Sequence, residues 1–285
     1  MRELKRVLVV GAGTMGSQIA LQTALSGRHN VTLVDSAEGQ LGRARAQNRR
    51  LLDRSVEKGR LTREAADTAL ARITDMDDLK SAAGSSDLVI EAVIEDFDAK
   101  KAVFTVLGEH AGNDAILASN SSTIAISRLA DFTGRPEQCC NMHFFHPVTV
   151  MQLCEVVRSP KTSDATVGAA MEFVRSIDRT PVLLQKEIWG FIVNRILFAA
   201  SEEAMHLLEG GYASAEDIDI AVQKGLNWPM GPFHLLDFSG LDIFYGAMKD
   251  RHRQGEGADA PELLRKLVEA GKLGRKSGEG FFEYS

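Results

Sequence analysis

The sequence predicts an α/β fold, a mostly parallel sheet covered by helices on both faces, followed by an all-α segment. Three observations predict it. Strand-sized apolar runs lack polar alternation and are separated by helical stretches, as a sheet buried on both faces requires. A glycine-rich turn, Gly11-Ala12-Gly13-Thr14-Met15-Gly16, directly follows the first such run. From about Glu187 onward only helical periodicity remains.

Element by element, Arg6–Val10 is a continuous apolar run with β-branched residues and reads as the first strand. Ile19, Ala20, Thr23 and Ala24 keep helical spacing until Gly27, a helix stop. Val31–Val34 is the second strand and ends at Asp35. The stretch from Asp35 to Asp87 is too long for one crossover helix. It predicts two helices, about 38–58 and 63–72, joined around Gly59 and projecting as a hairpin. Further strands are expected at Leu88–Ala92, Ile116–Ser119 and Cys139–Phe145, with Asp98–His110 as the helix between the first two. Leu153–Val157 and Pro181–Leu184 extend the sheet, and a helix starting near Ser163 connects them. Phe191, Ile192, Arg195, Ile196 and Ala199 open a long helix. Ser214 and Asp217 begin the next in the manner of a capping box, with Gly225 as its stop. The domain boundary is placed near Lys186, giving 1–186 and 187–285.

A chain of 285 residues suits two domains with a sizeable core. Its 44% hydrophobic and 25% charged composition is that of an ordinary globule. A net charge of -6 argues against general nucleic-acid binding. The apolar runs fall far below the ~18 residues of a membrane helix. The first of them runs straight into a glycine turn, unlike a signal peptide. A cytoplasmic protein with no nucleic-acid or membrane partner is expected. Cys139, Cys140 and Cys154 give neither a disulfide framework nor a CxxC metal spacing, so no metal site is expected.

The glycine turn gains meaning from its setting: a strand before, a helix after, and an acid closing the next strand. Gly11 allows the tight turn, Gly13 lets the backbone approach a pyrophosphate, and Gly16 allows close packing of helix on sheet. The helix N-terminus favours an anion. Asp35 suits ribose hydroxyls and repels a 2′-phosphate, which favours NAD over NADP. Gly11, Asp35, Glu95, Asn120 and His143 all end or follow successive expected strands, where doubly wound sheets bind ligands. Glu95 and Lys100, taken singly, read equally well as a solvated helix start.

Ser122 in SNSST, His143 in NMHFFHP and Glu155 in MQLCE form a second constellation. Removing a hydroxyl proton needs a group titrating near neutrality, which is histidine. A carboxylate beside it fixes its tautomer and stabilises its charged form. A serine hydroxyl can hold the substrate oxygen.

These runs, with DLVIEAVIED, GFIVNRIL, NWPMGPFHLLD and GRKSGEGFF, resemble the L-3-hydroxyacyl-CoA dehydrogenase family along essentially the whole chain. The resemblance implies a Rossmann-like domain with an inserted helical hairpin, about 38–72, and a helical C-terminal domain for substrate and dimerisation. It implies NAD-dependent, reversible oxidation of an L-3-hydroxyacyl-CoA, short-chain as in 3-hydroxybutyryl-CoA, by a homodimer. It makes His143 the catalytic base, Glu155 its orienting partner, and Ser122 and Asn194 substrate-binding groups. Glu95, Lys100 and Lys276 become cofactor contacts beside Gly11, Gly13, Met15, Gly16, Asp35, Asn120 and Ser122, and Lys58 a coenzyme A contact.

Two positions depart from the family pattern. His146 stands where HFFNP has asparagine near the cofactor, and Leu51 replaces a hairpin serine that contacts coenzyme A. The hairpin sequence still suits phosphates. From Arg43 to Arg63 it holds eight bases and two acids, 8 − 2 = +6, in a chain of net -6. Two alternatives stand beside this reading. One is a related NAD dehydrogenase of a free hydroxy acid, of sugar-acid or carnitine type. The other is a catalytically silent NAD-binding protein.

Overall fold

The computed structural model describes residues 4–284. The first strand, β1 (Arg6–Val10), sends Val7 and Val9 to one face of the sheet and Leu8 and Val10 to the other. Both faces are apolar because both are covered. Helix α1 (Thr14–Leu25) places Ile19 and Ala20 on the first face, and Phe104 and Leu107 of a later helix cover the second. Each such aliphatic or aromatic side chain contributes roughly 1.5–3 kcal/mol on full burial.

After β2 (Asn30–Val34) come the hairpin helices α2 (Gln40–Glu57) and α3 (Arg63–Ala71), then β3 (Ile73–Met76). The strand β3 has no counterpart in the sequence reading. It is four residues long, lies at the sheet edge and buries only Ile73, so it carries no continuous apolar run. The chain continues through α4 (Leu79–Ala83), β4 (Leu88–Glu91), α5 (Phe97–His110), β5 (Ile116–Ser119), α6 (Ser127–Ala130), β6 (Cys139–Phe144), β7 (Leu153–Val157), α7 (Asp164–Ser176) and β8 (Thr180–Leu184).

The eight strands form one sheet in the order β3-β2-β1-β4-β5-β6-β7-β8. Every neighbouring pair is parallel except β6 and β7. At the amino edge Asp87 accepts the N–H groups of Lys5 (3.0 Å) and Arg6 (2.9 Å) and pairs with the Arg6 guanidinium (2.8 Å).

The chain folds as two compact units, 1–191 and 192–285. The first runs through Phe191 because that ring is buried with Val157 and Leu184. The second holds α8 (Val193–Glu209), α9 (Ala215–Leu226), α10 (Pro232–Ser239), α11 (Leu241–Arg253) and α12 (Glu262–Glu269). Ser214 caps α9 by accepting the Asp217 N–H (3.1 Å). Gly225 does not stop this helix. Asn227, left-handed at φ 57°, does so two residues later.

Candidate active site

The site begins at the turn after β1. Gly11 has φ 100° and donates its N–H to the Val34 carbonyl at 2.7 Å. A Cβ there would lie 2.6 Å from the Ala92 carbonyl oxygen, and one at Gly16 would lie 1.8 Å from that of Gly11. A Cβ at Gly13 would meet nothing within 4 Å, so this position faces open space. Gly13 is the N-cap of α1 and supplies no capping side chain, which leaves the helix's first N–H groups for an outside acceptor.

Asp35 accepts the N–H of Ala12 at 2.7 Å and of Ala37 at 2.8 Å. Beside it opens a cavity of about 640 Å³ lined by Gly11, Gly13, Asp35, Ile94 and Val103 among others. Its volume suits a cofactor. The glycine cradle, uncapped helix end and acidic rim fit a dinucleotide: amides for its pyrophosphate, Asp35 for a ribose, apolar walls for a base. Met15, expected as a cofactor contact, is half-buried against the core on the α1 side of the sheet.

At the end of β4, Glu91 is fully buried. Its Oε1 accepts the Val93 N–H (2.7 Å) and the Lys100 ammonium (2.8 Å), and its Oε2 accepts the Ser119 hydroxyl (2.6 Å). Lys100 does not sit on a solvated helix start. It is 1% exposed, and its ammonium lies between Glu91 and Glu95 (3.2 Å) rather than in solvent. Glu95 in turn gathers the loop after β5. It accepts the Ser121 hydroxyl, the N–H groups of Ser122 and Thr123 (both 3.1 Å) and the Thr123 hydroxyl (2.9 Å). Burial alone would push the Glu95 carboxyl up. The Lys100 charge and these hydroxyls outweigh it and hold the carboxyl below its usual range. Glu91, Ser119, Ser121 and Thr123 were missed from sequence. The one available signal was an acid closing the apolar run Leu88–Glu91.

Asn120 connects this loop to the next strand, accepting the Phe144 N–H at 2.9 Å. There β6 and β7 run antiparallel, with His143 directly opposite Glu155. Both are buried, and His143 Nδ1 lies 2.8 Å from Glu155 Oε2. The imidazole packs against the rings of Phe145 and Phe191, with centroids at 4.4 and 5.6 Å. A carboxylate on Nδ1 sets the tautomer: Nδ1 carries the proton and Nε2 keeps its lone pair. His146 is exposed in the loop that follows. The cysteines offer no competing nucleophile. Burial pushes the Cys139 thiol up to about 11 and also raises those of Cys140 and Cys154. Among the described residues no three His, Cys, Asp or Glu side chains are grouped to hold a metal.

Family models match the whole of this arrangement. The NAD binding domain of 3-hydroxyacyl-CoA dehydrogenase matches residues 6–188, and its C-terminal domain matches 190–284. The chain belongs to the 3-hydroxyacyl-CoA dehydrogenase family. It is 43% identical over 279 residues to a probable 3-hydroxybutyryl-CoA dehydrogenase of Deinococcus radiodurans, covering 97% of this chain and 99% of that one. The crystal structure of (S)-3-hydroxybutyryl-CoA dehydrogenase from Ralstonia eutropha matches with a TM-score of 0.93 at 38% identity, covering 99% of each chain. A diketoreductase acting on dicarbonyl compounds matches with a TM-score of 0.89 at 35% identity, covering 100% of each. The chain is thus an oxidoreductase whose cofactor is NAD.

Lys58 ends α2, exposed, and lines a cavity of about 340 Å³ with Arg54, Arg60, Leu51 and Leu61. The hairpin is less basic than its sequence implies. Arg49 pairs with Asp67, Arg63 with Asp53 and Arg45 with Asp75. Among the described residues Arg50, Arg54, Lys58 and Arg60 form no ion pair. In the second unit Asn194 is half-buried in the first turn of α8, and Lys276 pairs with Asp242 at 2.5 Å. Among the described residues no helix is long and apolar enough to cross a membrane.

Proposed function

We propose that this chain interconverts a short-chain (S)-3-hydroxyacyl-CoA and its 3-oxoacyl-CoA, with His143 as the base for the 3-hydroxyl. The supporting observation is the buried 2.8 Å bond between His143 and Glu155 within the family's fold. Nε2 takes the hydroxyl proton, and the Glu155 carboxylate orients the ring and stabilises the imidazolium. NAD, when bound, supplies the hydride acceptor. Ser122 hydrogen-bonds the substrate oxygen, and by the family resemblance Asn194 is a second donor to it. The backbone of Gly11 to Gly16 and the Asp35 carboxylate hold the dinucleotide. By the same resemblance Lys276, Met15 and Asn120 are cofactor contacts, Lys58 takes a coenzyme A phosphate, and the protein is a cytoplasmic homodimer paired through its C-terminal domain.

The deciding assay follows NADH consumption with acetoacetyl-CoA, repeated with NADPH. Turnover with NADH is expected, and none with acetoacetyl-CoA would overturn the proposal. The likeness to a diketoreductase makes a free dicarbonyl the second substrate to assay. Preference for it over acetoacetyl-CoA would replace the coenzyme A reading.

A further inference from the structure

Glu91 and Lys100 form a fully buried ion pair that neither the glycine cradle nor the His143–Glu155 pair uses. Burying two charges is costly unless the geometry is fixed by further hydrogen bonds, and a well-packed apolar pair would join strand to helix as firmly. Here the bonds run in one direction. Glu91 is held by Val93 N–H and the Ser119 hydroxyl, and in turn holds the Lys100 ammonium. Lys100 reaches Glu95, whose side chain is 40% exposed and therefore not fixed by packing. Glu95 carries both the Ser122 and the Thr123 N–H groups on a single oxygen.

We infer that Glu91 is a positioning residue for the dehydrogenase reaction. Through Lys100 and Glu95 it fixes the 121–123 loop, so that the Ser122 hydroxyl is set before substrate arrives. Pre-setting a substrate contact lowers the barrier more than it tightens ground-state binding. The inference rests on the reading of Ser122 as a substrate contact.

Two readouts test it: hydrogen exchange at the Ser122 and Thr123 amides in cofactor-free protein, and steady-state kinetics with acetoacetyl-CoA and NADH. In Glu91→Gln, exchange at those amides should rise about tenfold and kcat fall about tenfold, with both KM values within about threefold. Adding Glu91→Gln to Lys100→Met should lower kcat no further than Lys100→Met alone, because both act through one chain of bonds. If Glu91→Gln does not fold, Ser121→Ala leaves the ion pair intact but removes the hydroxyl that donates to Glu95 and accepts the N–H groups of Thr123 (3.3 Å) and Ile124 (2.8 Å). It should raise the same exchange and lower kcat about threefold. Parent-like kcat, or a lost kcat with unchanged exchange, overturns the inference. Ser122→Ala separates the two readings. Full turnover in that variant removes the role of Ser122, whereas the exchange change in Glu91→Gln reports the clamp alone.

Discussion

The two edges of the same sheet treat a buried carboxylate in opposite ways. At the amino edge Asp87 faces two backbone N–H groups and the guanidinium of Arg6, a cation that does not titrate in the working range. Burial alone would push its carboxyl up. The Arg6 charge and the N–H donors overrule it and hold Asp87 at about 2. At the carboxyl edge Glu155 faces an imidazole, and that ring keeps a second nitrogen for chemistry. The first arrangement can only lock. The second leaves Nε2 of its imidazole partner free to accept and release a proton. The glycine turn and Asp35 lie at that same carboxyl edge, where parallel sheets bind their ligands.

Replacing His143 by Gln should separate the edges most strongly. The variant keeps a hydrogen-bonding side chain opposite Glu155 but loses the titratable ring. Turnover of acetoacetyl-CoA should fall about 10³-fold, within the usual worth of a general base. NADH affinity, measured by fluorescence titration, should stay within about twofold. Turnover near the parent value would remove the base from this edge and leave both edges merely structural.

How much of this was legible depended on sequence range. The glycine turn is local: Gly11, Gly13 and Gly16 act within one strand–turn–helix unit, so their spacing carries the geometry. His143 and Glu155 were legible as a pair by family resemblance. Their direct opposition arises because β6 and β7 are antiparallel, a pairing that apolar runs alone do not reveal. The solvated reading of Lys100 fails because its partners, Glu91 and Glu95, flank it across a strand end and a helix start. Nothing local distinguishes a buried lysine there from a solvated one. The hairpin charge was overread, since Asp67 and Asp75 lie outside the basic run yet neutralise Arg49 and Arg45.

Asp87→Asn should break the amino edge without touching the chemistry. A carboxyl held at about 2 in the fold, against an ordinary 3.8, contributes stability that is fully present above pH 3.8. That contribution is lost as pH falls from there through about 2. The variant should be less stable by about 2 kcal/mol at pH 7 in urea unfolding, and the gap to the parent should close below pH 3.8. Both KM values should stay at parent level. A gap that persists unchanged at pH 2 would mean that lost packing, not charge, destabilises the variant.

The hairpin contains both kinds of charge within a few residues and gives the smallest but most discriminating effect. Arg63 is tied to Asp53, whereas Lys58 forms no ion pair among the described residues and lines an open cavity with Arg54 and Arg60. If open cations bind and tied cations hold the fold, charge reversal at the two positions should register in different measurements. If Lys58 takes a coenzyme A phosphate as proposed, Lys58→Glu should raise KM for acetoacetyl-CoA about tenfold and leave KM for NADH unchanged. The effect should shrink with added salt, because the site is exposed and screened. Arg63→Glu should lower the melting temperature while leaving KM for acetoacetyl-CoA near the parent value. Equal KM changes in the two variants would mean that the hairpin acts as a diffuse basic field, with no distinction between tied and open cations.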